Sequence, residues 1–410
     1  MTAADGSGVA GTGHGLRIGR VWLVPVIVLI VLSPFLFTSL AVKRPVWDEL
    51  WFHIDAARAF GPGLPDLTTL RGYDSAVGPG FYVLFGNVGS LFGYRLFWLR
   101  LTVLLFAVAN VLLLFRLATR LVPEDPLPVL LVVATYPDLL RLSGLFMSEQ
   151  PALFFGLAGM LCYSRFQETR RPRLLAAALA LTATAILFRQ YFAFLPVGYA
   201  ASELAESRRN VTKALVALTP VVVLVPLVVF WKGLAPTALQ QRYHPGFTLT
   251  GASSVLVWSG AFLLPWLLLE LDRRKWRVGA WMISALAGGL IVLISPELGL
   301  GPTRSVLAVF PGLLAPVAKV VLGTAGMLSL LLVGASVQDK DRRTVALAGL
   351  SMALLLCFGG PTVYERHFLP AYPLLLLALT RRASLAVALV WSLGVHVPIA
   401  VIHLFLLAYS

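Results

Sequence analysis

The feature that most constrains this chain is the recurrence of apolar runs, each close to the length that crosses a lipid bilayer. The first is Val21–Ala41. Further runs lie at about 96–118, 127–141, 150–166, 174–189, 190–206, 214–231, 251–270, 278–296, 317–336, 344–358, 368–380 and 384–408. A bilayer core needs about 20 apolar residues per helix. Lipid offers no partner for a backbone N–H or C=O, so such runs are stable there only as helices or as a closed barrel. Runs of this length, without period-2 alternation, specify helices. Composition agrees. Only 13% of residues are charged and 58% are hydrophobic, where a soluble domain carries roughly a quarter charged residues. The sequence specifies an all-α, polytopic membrane protein with roughly 11 to 13 transmembrane helices.

A net charge of +14 would suggest nucleic acid as a partner in a soluble protein. Here the basic residues alternate with the apolar runs, in "RIGR", "RLATRLVPED", "RFQETRRPR", "ESRRNVTK", "DRRKWR", "QDKDRR" and the pair at 381–382. Every second connection is therefore basic, as the positive-inside rule requires. This excludes nucleic acid and places the N-terminus in the cytoplasm. The Gly- and Ala-rich residues 1–16 read as a disordered N-terminus, and 17–410 as a single transmembrane domain. Cys162 and Cys357 lie in apolar runs and read as small packing residues. The remaining connections face outward, to periplasm, cell exterior or lumen. The longest is loop 42–95. It contains "VWDELWFHIDAARAF" (46–60) and "PGFYVLFGNVGSLFG" (79–93), each short for a crossing and suited to a helix in the interface.

Ionisable residues near the membrane are costly, and so mark candidate sites. On the outward side these are Asp48, Glu49, Asp55, Asp74, Arg95, Arg100, Asp138, Arg141, Glu149, Arg189, Arg304, Lys319, Glu365 and Arg366. Asp48 and Asp55 are two helical turns apart and should share a face. Glu49 and His53 stand at i, i+4 and could bond each other. A carboxylate at this boundary can take a proton from a hydroxyl; Asp48 could instead cap its helix, and Asp55 could simply pair with Arg58. Arg189, between two apolar runs, can bind a phosphate bidentately or snorkel to the interface. Arg366 can neutralise phosphate or pair with Glu365 or an aromatic ring. His53 and His367 have no second ligand at helical spacing, so no metal site is expected. There is no Walker loop, GxSxG, HExxH or CxxC.

These residues resemble the GT-C glycosyltransferases, membrane enzymes that use polyprenyl-phosphate sugars, and most nearly the dolichyl-phosphate-glucose α-1,2-glucosyltransferase family. "Asp48-Glu49 … Phe52-His53-Ile54" resembles that family's Asp-Glu-Ile-Phe-His-Ile. "Tyr73-Asp74 … Gly78-Pro79-Gly80-Phe81-Tyr82" resembles its Trp-Asp…Pro-Pro-Gly-Leu-Tyr, and Leu99-Arg100 with Asn110 the start of its next helix. "Phe188-Arg189-Gln190" resembles its Phe-Arg-Gln-Thr-Asn, and "Glu365-Arg366-His367-Phe368" its Asn-Arg-His-Tyr. The resemblance implies a GT-C fold and transfer of glucose or another hexose to a glycan or lipid-linked acceptor on the outer or luminal face. It implies Asp48 as catalytic base with Glu49 as second choice. His53, Asp74, Arg189, Gln190, Glu365, Arg366 and His367 would bind substrate, without cofactor or metal. The chain departs from the family in three places. Tyr191-Phe192 replace Thr-Asn, the loop after Phe230 lacks a charged segment, and one extra residue, Leu50 or Trp51, precedes Phe52. In a regular helix that insertion turns His53 and Asp55 about 100° from the Asp48 face. A transporter or flippase of lipid-linked sugar is the alternative; it should place its acids in mid-helix and show inverted repeats.

Overall fold

The computed structural model describes residues 45, 48–242, 246–271, 278–295, 297–359, 363–381 and 383–402. The expected first helix, Val21–Ala41, the N-terminal 1–16 and the basic run at 272–277 lie outside the described residues. Among those described, every element is helical apart from two isolated β-bridges, Gly246 with Gly359 and Leu300 with Tyr364. Five helices are long and apolar enough to cross a membrane: Leu96–Leu121, Val211–Trp231, Leu249–Glu270, Leu314–Ser336 and Leu385–Ile402. The chain is an all-helical integral membrane protein.

Most helices coincide with the apolar runs. The run at 127–141 does not form one crossing. It breaks into α1 (Leu127–Ala134) and α2 (Pro137–Ser143), because Pro137 lacks the N–H that would continue the first helix and serves instead to start the second. The run at 190–206 begins with a 3₁₀ turn, Gln190–Ala193, before α5 (Phe194–Glu206). Between them, α3 (Glu149–Thr169) and α4 (Pro172–Phe188) form an antiparallel hairpin. The start of α3 therefore lies beside the end of α4, and with it Glu149 beside Arg189.

Close packing depends on absent side chains. In α6 (Leu249–Leu271) and α7 (Leu314–Ser336), a Cβ on Gly260 would sit 1.9 Å from the carbonyl oxygen of Leu322. One on Gly326 would sit 1.8 Å from that of Leu256. Small residues let these backbones touch, the usual basis of helix association in lipid. Gly78 performs the same service for the long loop: its N–H donates to the Phe188 carbonyl at 3.1 Å, and a Cβ there would meet the Leu187 oxygen at 2.0 Å. Segment 48–95 is thereby seated on the end of α4, next to Arg189.

Basic residues of three described connections gather at the opposite end. There Arg120 pairs with Glu168, Arg170 pairs with Glu206 at 3.6 Å, and a cavity of about 280 Å³ is lined by Arg120, Arg170, Lys340 and Arg343 among others. Nearby, buried Arg342 donates to the carbonyls of Leu377 at 3.2 Å, Ala378 at 3.4 Å, Thr380 and Leu121 at 2.6 Å. One guanidinium satisfies the orphan carbonyls at the ends of two helices.

Candidate active site

The site is organised by a widened turn. Glu49–His53 is a π-helical turn, in which the Ile54 N–H donates to the Glu49 carbonyl, an i→i+5 bond. Such a turn absorbs one extra residue. The expected rotation of His53 away from the Asp48 face does not follow here, since residues five apart in a π turn align as residues four apart do in an α-helix. His53 is buried and lies in the electrostatic field of Asp48. Asp55 turns away: it is 77% exposed and bonds Arg58 at 3.2 Å.

The expected Glu49–His53 bond does not form. Arg100 takes the Glu49 carboxylate bidentately, Nε to Oε1 at 2.9 Å and Nη2 to Oε2 at 2.5 Å, and the Phe146 N–H donates to Oε1 at 2.6 Å. Both side chains are 1% exposed. His53 instead places Nδ1 2.8 Å from the Tyr82 hydroxyl, within a shell of Phe81 and Phe146 rings.

Around Asp48 lies a chain of alternating charge. Arg366 Nη1 donates to Asp48 Oδ2. Arg366 Nε lies 3.6 Å from Glu149 Oε1, and Arg189 Nη2 donates to the same oxygen at 2.5 Å. One buried carboxylate thus bridges two arginines. The start of α3 supplies it, where the helix dipole favours a negative charge. Each guanidinium also covers a ring: Arg366 sits 4.8 Å from the Tyr364 centroid and Arg189 5.8 Å from that of Tyr191. His367 completes the group, with ring centroids 5.6 Å from both tyrosines. Side-chain exposure falls from 30% at Asp48 through 18% at Arg366 to 1% at Glu149. Asp48 is the acid that an incoming molecule can reach, and Arg366 leaves its Oδ1 for a further partner.

Glu365 does not pair with Arg366. It accepts from the Thr303 N–H at 2.8 Å and hydroxyl at 2.9 Å, while its own N–H donates to the Leu300 carbonyl at 2.9 Å. These bonds anchor the 3₁₀ turn Glu365–Phe368 that presents Arg366. Gln190 follows Arg189, with its amide nitrogen buried and without a protein partner. Asp74 is exposed, between Leu67–Gly72 and Pro79–Phe92, outside these contacts. Asp138 pairs locally with Arg141 at 2.6 Å.

Burial pushes the Asp48 carboxyl up, but the charge and hydrogen bond of Arg366 outweigh it, and the net shift is downward. Asp48 is therefore ionised at neutral pH. Burial, reinforced by Arg189, lowers His53 to about 4; burial, reinforced by Arg366, lowers His367 to about 3. Both imidazoles are neutral. Burial raises Glu365. Among the described residues, no group of three His, Cys, Asp or Glu side chains is placed to hold a metal ion.

No family model matches this sequence, and no curated protein matches it. Among solved structures, the chain is similar to ArnT from Cupriavidus metallidurans in the apo state. Identity is 16%, with 94% of this chain and 77% of that one covered, at a TM-score of 0.43. It is also similar to the arabinosyltransferase EmbB from Mycobacterium smegmatis, at 14% identity, 97% and 42% coverage and a TM-score of 0.39. At scores this low neither likeness carries an argument about fold or chemistry.

Asp48, His53, Arg189, Arg366 and His367 come together; Glu49, Asp74 and Glu365 do not join them. Glu149 is the participant to which sequence reading assigned no role. Its signal was present, an acid opening an apolar run forty residues before Arg189, but only the α3–α4 hairpin turns that spacing into contact. Tyr82 entered only through the Gly78–Tyr82 resemblance and Tyr191 only as a departure from it, and none of Tyr82, Tyr191 and Tyr364 was given a site role, because aromatic residues are common at membrane interfaces.

Proposed function

We propose that this protein is a GT-C glycosyltransferase that moves a sugar, glucose or another hexose, from a polyprenyl phosphate to an acceptor hydroxyl on a glycan or lipid, with inversion, at the outer face of the membrane. The observation that supports this most is the placement of a reachable, ionised carboxylate, Asp48, on Arg366, with Arg189 joined to the same group through Glu149. A phosphate diester needs cations, and an attacking hydroxyl needs a base; both are within one group of contacting side chains.

In this reading Arg366 and Arg189 bind the donor phosphate. Phosphate competes with Asp48 for Arg366, and as that pair loosens the carboxylate becomes a stronger base. Asp48 accepts the acceptor's hydroxyl proton as its oxygen attacks the anomeric carbon. The bond from that carbon to the phosphate oxygen breaks, and the leaving polyprenyl phosphate keeps the electron pair. The proton passes from Asp48 to phosphate or water. Charge on the leaving group is met by preorganised guanidinium groups, the form of stabilisation that contributes most in such sites. Glu49 orients the loop through Arg100 rather than reacting, and Glu365 holds the turn that carries Arg366.

The test is purified protein with a panel of radiolabelled polyprenyl-phosphate sugars, scored for release of polyprenyl phosphate. Transfer is expected for at least one donor, and Asp48→Asn should abolish it while leaving a folded membrane protein. Full activity in Asp48→Ala would refute the base assignment. No turnover of any donor would favour a transporter of lipid-linked sugar.

A further inference from the structure

The cavity at the basic end lies far from Asp48. Helix α3 starts at Glu149, in the candidate active site, and its cap Arg170 lines the cavity, about 30 Å away at 1.5 Å per residue. Helix ends enclose the space: Leu96–Leu121 brings Arg120, α5 brings Ser202 and Glu206, and Lys340–Cys357 brings Lys340 and Arg343. The polar floor satisfies itself. Thr344 donates to Gln167 at 2.8 Å, Gln167 donates to Ser202 at 3.4 Å, and the Ser202 and Thr344 hydroxyls lie 2.7 Å apart. The charges of the rim do not cancel in the same way.

Arg120 is paired with Glu168, and Arg170 with Glu206 at 3.6 Å. That leaves Lys340 and Arg343 with one acid, Asp341. Among the described residues neither cation has a carboxylate partner. Arg343 gives only Nε, to the Val337 carbonyl at 3.1 Å. The nearby Asp339 is already used, by Arg342 at 3.4 Å and by the Asp341 N–H at 3.1 Å. Lys340 and Arg343 stand at i, i+3 and share a face. They also occupy the first turn of an 18-residue helix, the positive end of its dipole, where cations are disfavoured and an anion is favoured. Two cations with donors to spare at that helix end line one cavity, and an anion there relieves both.

Charge and position select the anion. Lys340 and Arg343 less Asp341 leave a surplus of one positive charge. A phosphodiester carries one negative charge and cancels it; a phosphate monoester or a nucleoside diphosphate exceeds it. The cavity also has an apolar wall of Leu117, Leu121 and Val345, and it sits at the end of a helix long enough to cross a membrane, the level at which lipid headgroups lie. We propose that this cavity binds the headgroup phosphodiester of an anionic phospholipid, held by Lys340 and Arg343. A volume of about 280 Å³ admits the phosphate and glycerol, while the acyl chains stay outside in the bilayer. A phosphatidylcholine headgroup brings its own cation and leaves the surplus uncancelled. The site is independent of the transferase reading and separate from the donor phosphate's arginines.

The experiment uses purified full-length protein in detergent, with phosphatidylglycerol or phosphatidylcholine added and bound lipid measured by native mass spectrometry. Inorganic phosphate is titrated in a parallel calorimetric arm. The wild type should hold phosphatidylglycerol in preference to phosphatidylcholine. Replacing both cations, Lys340→Ala with Arg343→Ala, should weaken phosphatidylglycerol binding roughly 30-fold, about fivefold per cation. Arg208→Ala with Arg209→Ala removes the same charge from exposed positions outside the cavity and should leave the affinity within a few-fold. Lys340→Ala alone, at a side chain with no bond to lose among the described residues, should weaken binding about fivefold and carries the test if the double variant folds poorly. Equal affinity for the two lipids, or an equal loss in the two double variants, would overturn the inference in favour of diffuse surface attraction. Saturable binding of inorganic phosphate with no preference between the lipids would put a soluble anion in the cavity and overturn it as well.

Discussion

Glu49 and Arg100 offer the clearest separation of structural from catalytic acids. Arg100 closes on Glu49 with two hydrogen bonds, Phe146 adds a third, and neither side chain has more than 1% exposure. Removing one partner leaves the other charge buried and uncompensated, which costs about 3–5 kcal/mol in comparable pairs. Glu49→Leu and Arg100→Met should therefore each destabilise the protein by about that amount. The double variant should recover much of the loss, because no buried charge remains. What stays lost includes the acceptor for the Phe146 N–H, about 1–3 kcal/mol. Thermal unfolding in lipid nanodiscs gives the three differences and hence the coupling energy. Transfer measured on the same samples, at a temperature where all are folded, should survive in the double variant. If the double variant is as stable as the wild type yet inactive, Glu49 is a reacting group and the reasoning fails. If the single losses simply add, the pair is not the unit described here.

Further outcomes follow from the same geometry. Arg189→Lys keeps a charge but loses the planar fork; the donor KM should rise about tenfold with kcat little changed, and an unchanged KM would remove Arg189 from the phosphate site. His53 has a folded pKa of about 4 against 6.5 unfolded. Its contribution is thus full above pH 6.5 and lost as pH falls to about 4, worth about 3 kcal/mol; unfolding followed across that window should show the loss, and His53→Asn should reduce it by about that amount, leaving the part that His367 contributes over the same range. Gly260→Leu places a side chain where the Leu322 carbonyl already lies 1.9 Å from an added Cβ; the α6–α7 contact should open, seen as loss of folded protein, whereas Gly334→Ala, with nothing near its Cβ, should be tolerated.

Much of this protein follows from composition and period alone. Long apolar runs can only be helices when lipid is the solvent, and the basic residues of three described connections share one end of the bundle. Those rules are local, so they can be read along the chain: Leu96–Leu121 or Lys340–Cys357 needs no knowledge of neighbours. They also located the ionisable residues of one face, Asp48, Arg189 and Arg366 among them. What they could not assign is partnership. Glu49, next to Asp48, is fixed by Arg100, fifty-one residues on; Asp48 is held by Arg366, 318 residues on. Pairings of that span depend on which helix ends meet, and Gly78, Gly260 and Gly326 decide this by what they omit.

The stretch before His53 shows the division most plainly. Read as a regular helix, the resemblance expects a rotation of His53 and Asp55 from the Asp48 face. The backbone instead forms a π turn over Glu49–His53, and His53 meets the Tyr82 hydroxyl and the Phe81 and Phe146 rings. Helical period is a property of the chain; the choice between rotating a face and widening a turn belongs to the partners that the tertiary structure brings to it.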